Sequence, residues 1–264
     1  MKFSAFGIIA AVAAYDEKVQ IDLYYESQCP ACRDQVTRNF KTAMNTPGFL
    51  DMADVRLHPY GNARETLKSD NTWAFSCQHG EAECQYNYME TCALNYQTNW
   101  LQTFNFIACV EGQDYSTNYD SVAQTCAAQN NITDVNSIQT CMRSTMGNTL
   151  EHKVALQTDA LVPSHRYVPW LVANGQHTDA IQNDVGSNLL SYVCRNYKGT
   201  KRADACSQAF PVADVSKDML NVCYKDGDFP KVGEFLYWLN QIKSILSNTS
   251  NQNIILLFVF ILYL

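Results

Sequence analysis

Eleven cysteines in a chain of 264 residues constrain the fold more than any other feature of the sequence. Disulfides persist in oxidising compartments, whereas cytosolic proteins keep their thiols reduced. The N-terminus agrees with such a compartment, because Lys2, the apolar run 3–12 and small residues at 11–13 are typical of a secretory signal. We therefore predict a signal peptide over residues 1–14. A buried N-terminal helix is the alternative, but it would begin without a cap.

The composition indicates a globular protein and excludes one large class of function. Hydrophobic residues make up 47% of the chain and charged residues 17%, and the net charge is −7. An acidic chain without a basic patch lacks the electrostatic footprint of nucleic-acid binding. We therefore expect no nucleic-acid partner, and a core that belongs to one large or two small domains.

The stretch that precedes the first two cysteines predicts a strand followed directly by a helix. Apolar and polar residues alternate over 19–25, which is the period of a half-buried strand. Pro30 suits the first turn of a helix, and apolar residues then recur every four positions to residue 44. The sequence thus predicts a helix over 30–45 with Cys29 at its N-terminus.

Cys29 and Cys32 form a CxxC pair at this junction, and the position favours redox chemistry. Unpaired backbone N–H groups at a helix N-terminus stabilise a thiolate, which makes Cys29 the candidate nucleophile. Cys32, one turn further in, is the candidate resolving thiol. Two alternatives stay open, a purely structural disulfide and a zinc site, although an oxidising route disfavours zinc. The zinc ligands would be Cys77, His79, Cys84 and Cys92.

The remaining pattern predicts an α/β fold of thioredoxin-like order with an insertion. A short strand is expected at 55–58, and residues 65–150 read as a mostly helical insertion tied by six cysteines. Strand signal returns at 167–173 before a predicted hairpin turn, and a closing helix is expected at 185–197. Strand, helix, strand, helices, strand, hairpin and helix is the order of a thioredoxin-like domain.

Val168 and Pro169 are the candidate substrate-binding residues. A proline that opens a strand opposite a CxxC is well placed to be a cis-proline, whose exposed backbone groups can pair with an extended peptide. The alternative is a trans proline on an edge strand.

The segment 77–92, CQHGEAECQYNYMETC, resembles the CQHGxxECxxNxxExC signature of the gamma-interferon-inducible lysosomal thiol reductase (GILT) family, with every fixed position present. The upstream CxxC and the later YVPW run match as well. The resemblance implies an enzyme over residues 15–223 that reduces protein disulfides in acidic endosomes and lysosomes, with Cys29 as nucleophile and Cys32 as resolving residue. It implies no cofactor or metal, and its partners would be disulfide-containing proteins and a small-molecule or protein thiol reductant.

Three other functions are compatible with parts of the sequence. The same scaffold serves disulfide oxidases and isomerases, whose direction depends on reduction potential. A cysteine hydrolase that pairs Cys29 with a histidine such as His165 would leave Cys32 without a task. A disulfide-rich binding module on a secreted or membrane surface would need no labile cysteine pair.

The C-terminal segment 224–264 departs from the family pattern. Apolar residues at helical spacing predict an amphipathic helix over 229–246, and an apolar run follows at 254–264. That run is too short to span a bilayer, but small polar residues before it are compatible with a lipid anchor. Membrane attachment through this tail therefore stays a hypothesis, beside lumenal and secreted forms.

The odd number of cysteines has a consequence for pairing. With Cys29 and Cys32 set aside, at least one of the other cysteines is expected to be free or to link a second chain, which would give a disulfide-linked dimer. Cys194 with Cys206 is the one pair we predict individually, since the separation spans a plausible loop after the last helix.

Overall fold

The computed structural model describes residues 17–96, 98–113, 118–207 and 222–226. The chain divides into a unit of residues 1–223 and a unit of residues 224–264. The predicted signal peptide, the helix over 229–246 and the apolar tail lie outside the described residues. Within the described ranges, none of the helices combines the length and the apolarity that a bilayer span requires.

The first unit is a mixed α/β structure built around a three-stranded sheet. With strands numbered in chain order, β1 (Val19–Tyr25) is central, β2 (Ala53–Pro59) pairs with it in parallel, and β6 (Trp170–Ala173) pairs with it antiparallel. Six of the seven residues of β1 are buried, which explains why a central position suits it. The predicted strands at 19–25 and 55–58 are confirmed, and β1 delivers the chain to the CxxC.

The segment after β1 is one continuous helical run, as the sequence predicts. It comprises α1 (Pro30–Asp34), a π-helical turn (Gln35–Phe40) and α2 (Lys41–Met44). The residues repeated every four positions form its buried face: Cys32, Val36, Phe40 and Met44. This face packs into the main core and includes Cys32. A short helix α3 (Phe49–Met52) then leads into β2.

The region predicted as a mostly helical insertion begins with a hairpin that the sequence analysis missed. Strands β3 (Arg64–Leu67) and β4 (Trp73–Ser76) pair antiparallel. β3 is largely exposed and shows no apolar alternation, and in β4 the alternation is confined to half-buried Trp73 and Phe75, so the strand signal is weak. Five helices follow: α4 (Glu81–Asn95), α5 (Trp100–Glu111), α6 (Tyr119–Gln129), α7 (Val135–Met142) and α8 (Thr145–Asp159).

Three disulfides tie these helices together, and all six cysteines of the segment pair within it. The bonds are Cys77–Cys84, Cys92–Cys141 and Cys109–Cys126. The prediction of a disulfide-tied, helix-rich segment is therefore confirmed. Its sulfurs are covalently engaged inside the segment itself.

The last part of the unit differs from the sequence prediction in two details. The strand expected at 167–173 is split at Pro169 into β5 (Tyr167–Val168) and β6. Asn174 and Gly175 adopt positive φ as a tight turn requires, but only a single bridge, between Ala173 and Gln176, closes it. The predicted turn is therefore confirmed, with backbone hydrogen bonds of 2.9 and 3.0 Å between Ala173 and Gln176, but it leads into a helix and not into a second strand.

Helical structure after that turn begins earlier than predicted. The closing helix is two helices, α9 (Asp179–Ser187) and α10 (Leu189–Asn196), and a 3-10 turn (Asp204–Ser207) follows. The predicted Cys194–Cys206 disulfide is confirmed and joins α10 to that turn. The last described strand, β7, spans Cys223–Tyr224.

Candidate active site

Cys29 occupies the N-cap position of the helical run, as predicted. Its backbone is extended, with φ −64° and ψ 120°, and Pro30 takes the first helical position. The Arg33 N–H donates the first helical hydrogen bond to the Cys29 carbonyl, at 3.0 Å. The sulfur therefore lies at the positive end of a helix, where a thiolate is stabilised.

The partner of Cys29 is not the one that the CxxC spacing suggests. Cys29 is bonded to Cys223, 194 residues away, and Cys32 is the free cysteine of the described chain. Cys29 is also fully buried in this disulfide-bonded form. The odd thiol is thus Cys32, and the expectation of a free or interchain cysteine among the other nine is wrong for this form.

Cys32 lies in the same site and is fully buried as well. Burial raises the pKa of its thiol well above the ordinary value, and the negative charge of Glu26 raises that pKa further. A thiol in this environment is held protonated until its surroundings change. Cys32 thus has the burial expected of a resolving thiol.

The loop that faces Cys29 carries the cis peptide bond predicted between Val168 and Pro169. The Val168 carbonyl oxygen lies 3.8 Å from Cys29 Sγ. The Gln182 side chain holds this loop from behind: its amide N–H donates to the Pro169 carbonyl at 3.0 Å, and its oxygen accepts from the Leu171 N–H at 2.9 Å. The loop is therefore fixed against the sulfur by α9.

Helix α4 holds the chain that leads into the CxxC. Asn87 Oδ1 accepts hydrogen bonds from both the backbone N–H and the hydroxyl of Ser27, at 2.9 Å and 2.8 Å. One turn further on, Glu90 accepts a 2.5 Å bond from the Tyr25 hydroxyl. Glu83, Asn87 and Glu90 follow the i, i+4, i+7 spacing of one helix face, and all three are fully buried.

Glu83 and His79 continue this contact toward Glu26. Glu83 accepts from the backbone N–H of His79 at 2.8 Å and lies 2.5 Å from its Nδ1. The same Nδ1 lies 3.7 Å from a Glu26 oxygen. The three side chains thus form a carboxyl, imidazole, carboxyl row beside the CxxC.

Gly61 and Asn62 make room for the Glu26 carboxyl group. The Asn62 N–H donates to Glu26 Oε2 at 2.8 Å. Gly61 has φ +60°, and a Cβ there would lie 2.6 Å from the same oxygen. Only glycine therefore fits both the backbone conformation and the space at this position.

Several buried carboxyl groups gather around this site. Burial raises the pKa of Glu26 and of Glu90 well above the ordinary value, and it raises that of Glu111 to about 7. Neighbouring negative charges add to the shift for Glu26 and Glu90. At acidic pH these groups are held protonated, so they act as hydrogen-bond donors as well as acceptors.

The zinc set considered from sequence is excluded by disulfide pairing. Cys77 is bonded to Cys84, and Cys92 to Cys141, so these sulfurs cannot act as thiolate ligands. A different set, Glu26, His79 and Glu83, offers ligand atoms within 4.8 Å of one another. The short Glu83 contact to His79 Nδ1 already occupies that nitrogen.

Comparison with known proteins identifies the family. Residues 20–130 match the family described as gamma interferon inducible lysosomal thiol reductase (GILT). A goldfish (Carassius auratus) protein named gamma-interferon-inducible lysosomal thiol reductase is 40% identical over 195 residues, 72% of each chain. The chain belongs to the GILT family. A mouse (Mus musculus) GILT protein of the same name is 36% identical over 208 residues, covering 78% of this chain and 77% of its own.

More distant GILT relatives extend beyond animals. An Arabidopsis thaliana protein named gamma-interferon-responsive lysosomal thiol protein is 32% identical over 189 residues, which is 71% of this chain and 75% of the plant protein. The similarity therefore extends over most of this chain.

The GILT signature at 77–92 has a structural role. Its polar residues hold the loop before the CxxC, and its cysteines close the insertion. Sequence reasoning missed Glu26, Asn62, Glu90 and Glu111. The one available signal was the i, i+4, i+7 spacing of Glu83, Asn87 and Glu90, which is an unusual set of polar groups for a buried helix face.

Proposed function

We propose that this chain is a thiol reductase that reduces disulfide bonds of protein substrates through Cys29 and Cys32. The observation that carries the proposal is a cysteine at a helix N-terminus with a free, buried cysteine one turn further on. The family name of the relatives supports the same reaction class. The sheet order and the cis Val168–Pro169 bond beside Cys29 support a thioredoxin-like arrangement.

The reaction proceeds in two exchange steps. The Cys29 thiolate attacks one sulfur of the substrate disulfide, and the other substrate sulfur leaves with the electron pair and takes up a proton. Cys32 then loses its proton and attacks Cys29 Sγ, which releases the second substrate thiol. The Cys29–Cys32 disulfide that remains is reduced by a small-molecule or protein thiol.

Each neighbouring group has a part in these steps. The helix N-terminus stabilises the Cys29 thiolate, which matters most in an acidic compartment, where an ordinary thiol is almost wholly protonated. Val168 and Pro169 present backbone groups to an extended substrate peptide. Burial raises the pKa of Cys32, so this thiol is protonated and has to lose its proton before it attacks Cys29.

The proposed location is the endosomal and lysosomal lumen or the secreted space, reached by the signal peptide. The buried carboxyl groups around the site support an acidic location, because they are protonated there and carry no buried charge. Attachment to a membrane through the 224–264 tail is a further part of the proposal.

The test is the reduction of a denatured disulfide protein at about pH 4.5–5. Cys29→Ser is expected to lower the rate to the background without enzyme, and Cys32→Ser to trap a mixed disulfide with substrate. A Cys29→Ser protein of full activity would contradict the proposal. Peptide hydrolysis by a Cys32→Ala protein would favour the cysteine hydrolase instead.

A further inference from the structure

The Cys29–Cys223 bond has the form of an intermediate of the proposed reaction. In that reaction Cys29 becomes bonded to a substrate cysteine while the resolving thiol is still free. Here Cys29 is bonded to a cysteine of its own chain, and Cys32 is free beside it. Cys223 thus stands where a substrate cysteine would stand.

Asn62 recognises the backbone of Cys223. Its amide Nδ2 donates to the Cys223 carbonyl oxygen at 3.0 Å and also to Gln78 Oε1 at 2.9 Å. The backbone N–H of Asn62 is fixed separately by Glu26. A hydrogen bond to a main-chain carbonyl is independent of the side chains of a peptide, as a reductase of many substrates requires.

Glu26 lies next to both sulfurs of the bond. One of its carboxyl oxygens is within 4.8 Å of Cys29 Sγ and of Cys223 Sγ. Glu26 is fully buried, and its Oε1 has no hydrogen-bond partner within the described residues. A protonated carboxyl group at this place can supply a proton to a departing sulfur.

We propose that Cys223 occupies the substrate-cysteine position, and that Asn62 holds the main-chain carbonyl of whichever cysteine is bonded to Cys29. The inference rests on the proposed function. It assigns Asn62 as a substrate-binding residue for cysteine-containing peptides in extended form. It also assigns the Cys29–Cys223 form as a closed state in which the nucleophile is masked.

The closed state opens by a balanced exchange within the chain. Cys32 gives up its proton and bonds to Cys29 Sγ, while the Cys29–Cys223 bond breaks and Cys223 leaves with the electron pair and takes up a proton. No net oxidation or reduction occurs. An external thiol then reduces the Cys29–Cys32 disulfide, as in the catalytic cycle.

The first test maps disulfides in the full-length protein without prior reduction, after thiols are blocked in acid. The expected result is a linked Cys29–Cys223 peptide and blocked Cys32, with conversion to free Cys223 as dithiothreitol is increased. Reduction of a denatured disulfide protein should then show a lag in wild type that Cys223→Ala removes. A Cys29–Cys32 link with free Cys223 before any dithiothreitol is added would overturn the closed state.

The second test separates peptide binding from chemistry. Asn62→Ala is expected to raise KM for a peptide disulfide about two- to tenfold, the loss of one hydrogen bond, with kcat largely retained. KM for an aromatic disulfide should rise less, because a substrate without amide groups offers no main-chain carbonyl to Asn62. Asn45→Ala, which removes an exposed amide paired with Asn105, is the matched control.

The two proposals fail in different ways. An active Cys29→Ser protein would remove the proposed function. If Cys29→Ser is inactive and Asn62→Ala raises KM equally for both substrates, the proposed function stands. Only the substrate-binding role of Asn62 is then contradicted.

Discussion

The helical insertion and the CxxC site use cysteine in opposite ways. In the insertion, each sulfur is bonded to another sulfur of the same segment, at separations of 7, 17 and 49 residues. At the site, the bond joins residues 194 apart and has a free thiol three residues away. A disulfide with a neighbouring free thiol can exchange within the chain, whereas the insertion disulfides are not adjacent to the free thiol of Cys32.

The helical insertion also contains buried acidic residues whose pKa values are raised. The insertion buries Glu111 and Glu151, which belong to α5 and α8, and burial raises their pKa values to about 7 and about 8. Glu151 accepts from the Thr91 hydroxyl at 2.7 Å and so joins α8 to α4. Protonation of these two buried groups therefore makes the stability of the insertion depend on pH.

The largest expected effect is on how the free energy of unfolding depends on pH. A carboxyl group with a folded-state pKa above its unfolded value binds protons more tightly when folded, so stability rises as pH falls from about 8 toward 4.5. We expect the free energy of unfolding, measured in urea, to be about 4 kcal/mol higher at pH 5 than at pH 8 on account of Glu151.

The matched variants for this prediction are Glu151→Gln and Glu81→Gln. Glu151→Gln should make the free energy of unfolding depend less on pH. The glutamine amide still accepts the hydrogen bond of Thr91, but it does not titrate. Glu81→Gln removes an exposed carboxylate of α4 and should leave the pH dependence unchanged. Equal slopes in Glu151→Gln and wild type would contradict the assignment.

The next effect concerns the insertion disulfides. Removal of the Cys92–Cys141 bond by a double Cys→Ala change should lower the free energy of unfolding by about 2–4 kcal/mol, since it closes a 49-residue separation. Urea unfolding of both proteins under non-reducing conditions measures it. An unchanged midpoint would mean that the helices pack equally well without their covalent tie.

The smallest expected effect tests the contact that joins the two regions. Asn87→Ala leaves the backbone N–H of Ser27 without its acceptor, which should cost about 1–3 kcal/mol and lower the reductase rate. Gln85→Ala, on the same helix but bonded to exposed Glu81, is the control. Equal effects of the two variants on the reductase rate would show that α4 does not support the CxxC loop.

The sequence prediction is correct where the structure is determined by residues that are close together in the sequence. The alternation in β1, the period of four after Pro30 and the Val168–Pro169 pair each reflect constraints within a few residues. The hairpin at 64–76 was missed because β3 shows no apolar alternation and that of β4 is confined to Trp73 and Phe75. The single helix predicted over 185–197 is instead two helices, because Asn188 ends the first and caps the second.

The site was predictable only in part, because most of its contacts are long-range. Cys29 and Cys32 follow from the CxxC, but the pairing of Cys29 with Cys223 depends on how distant segments meet. Glu26 is an unremarkable acid in the sequence. Its importance arises from Gly61, Asn62 and Glu83, which converge on it only in the folded chain.

The Cys29–Cys223 bond also changes the covalent topology of the protein. While it is closed, the chain from residue 29 to residue 223 is a ring. A protease that cuts once inside this ring leaves both fragments attached to one another, and they separate at this point only after the Cys29–Cys223 bond is broken, by exchange with Cys32 or by an external thiol. In a compartment rich in proteases, the pairing of Cys29 would thus decide whether a single cut is tolerated or releases a fragment.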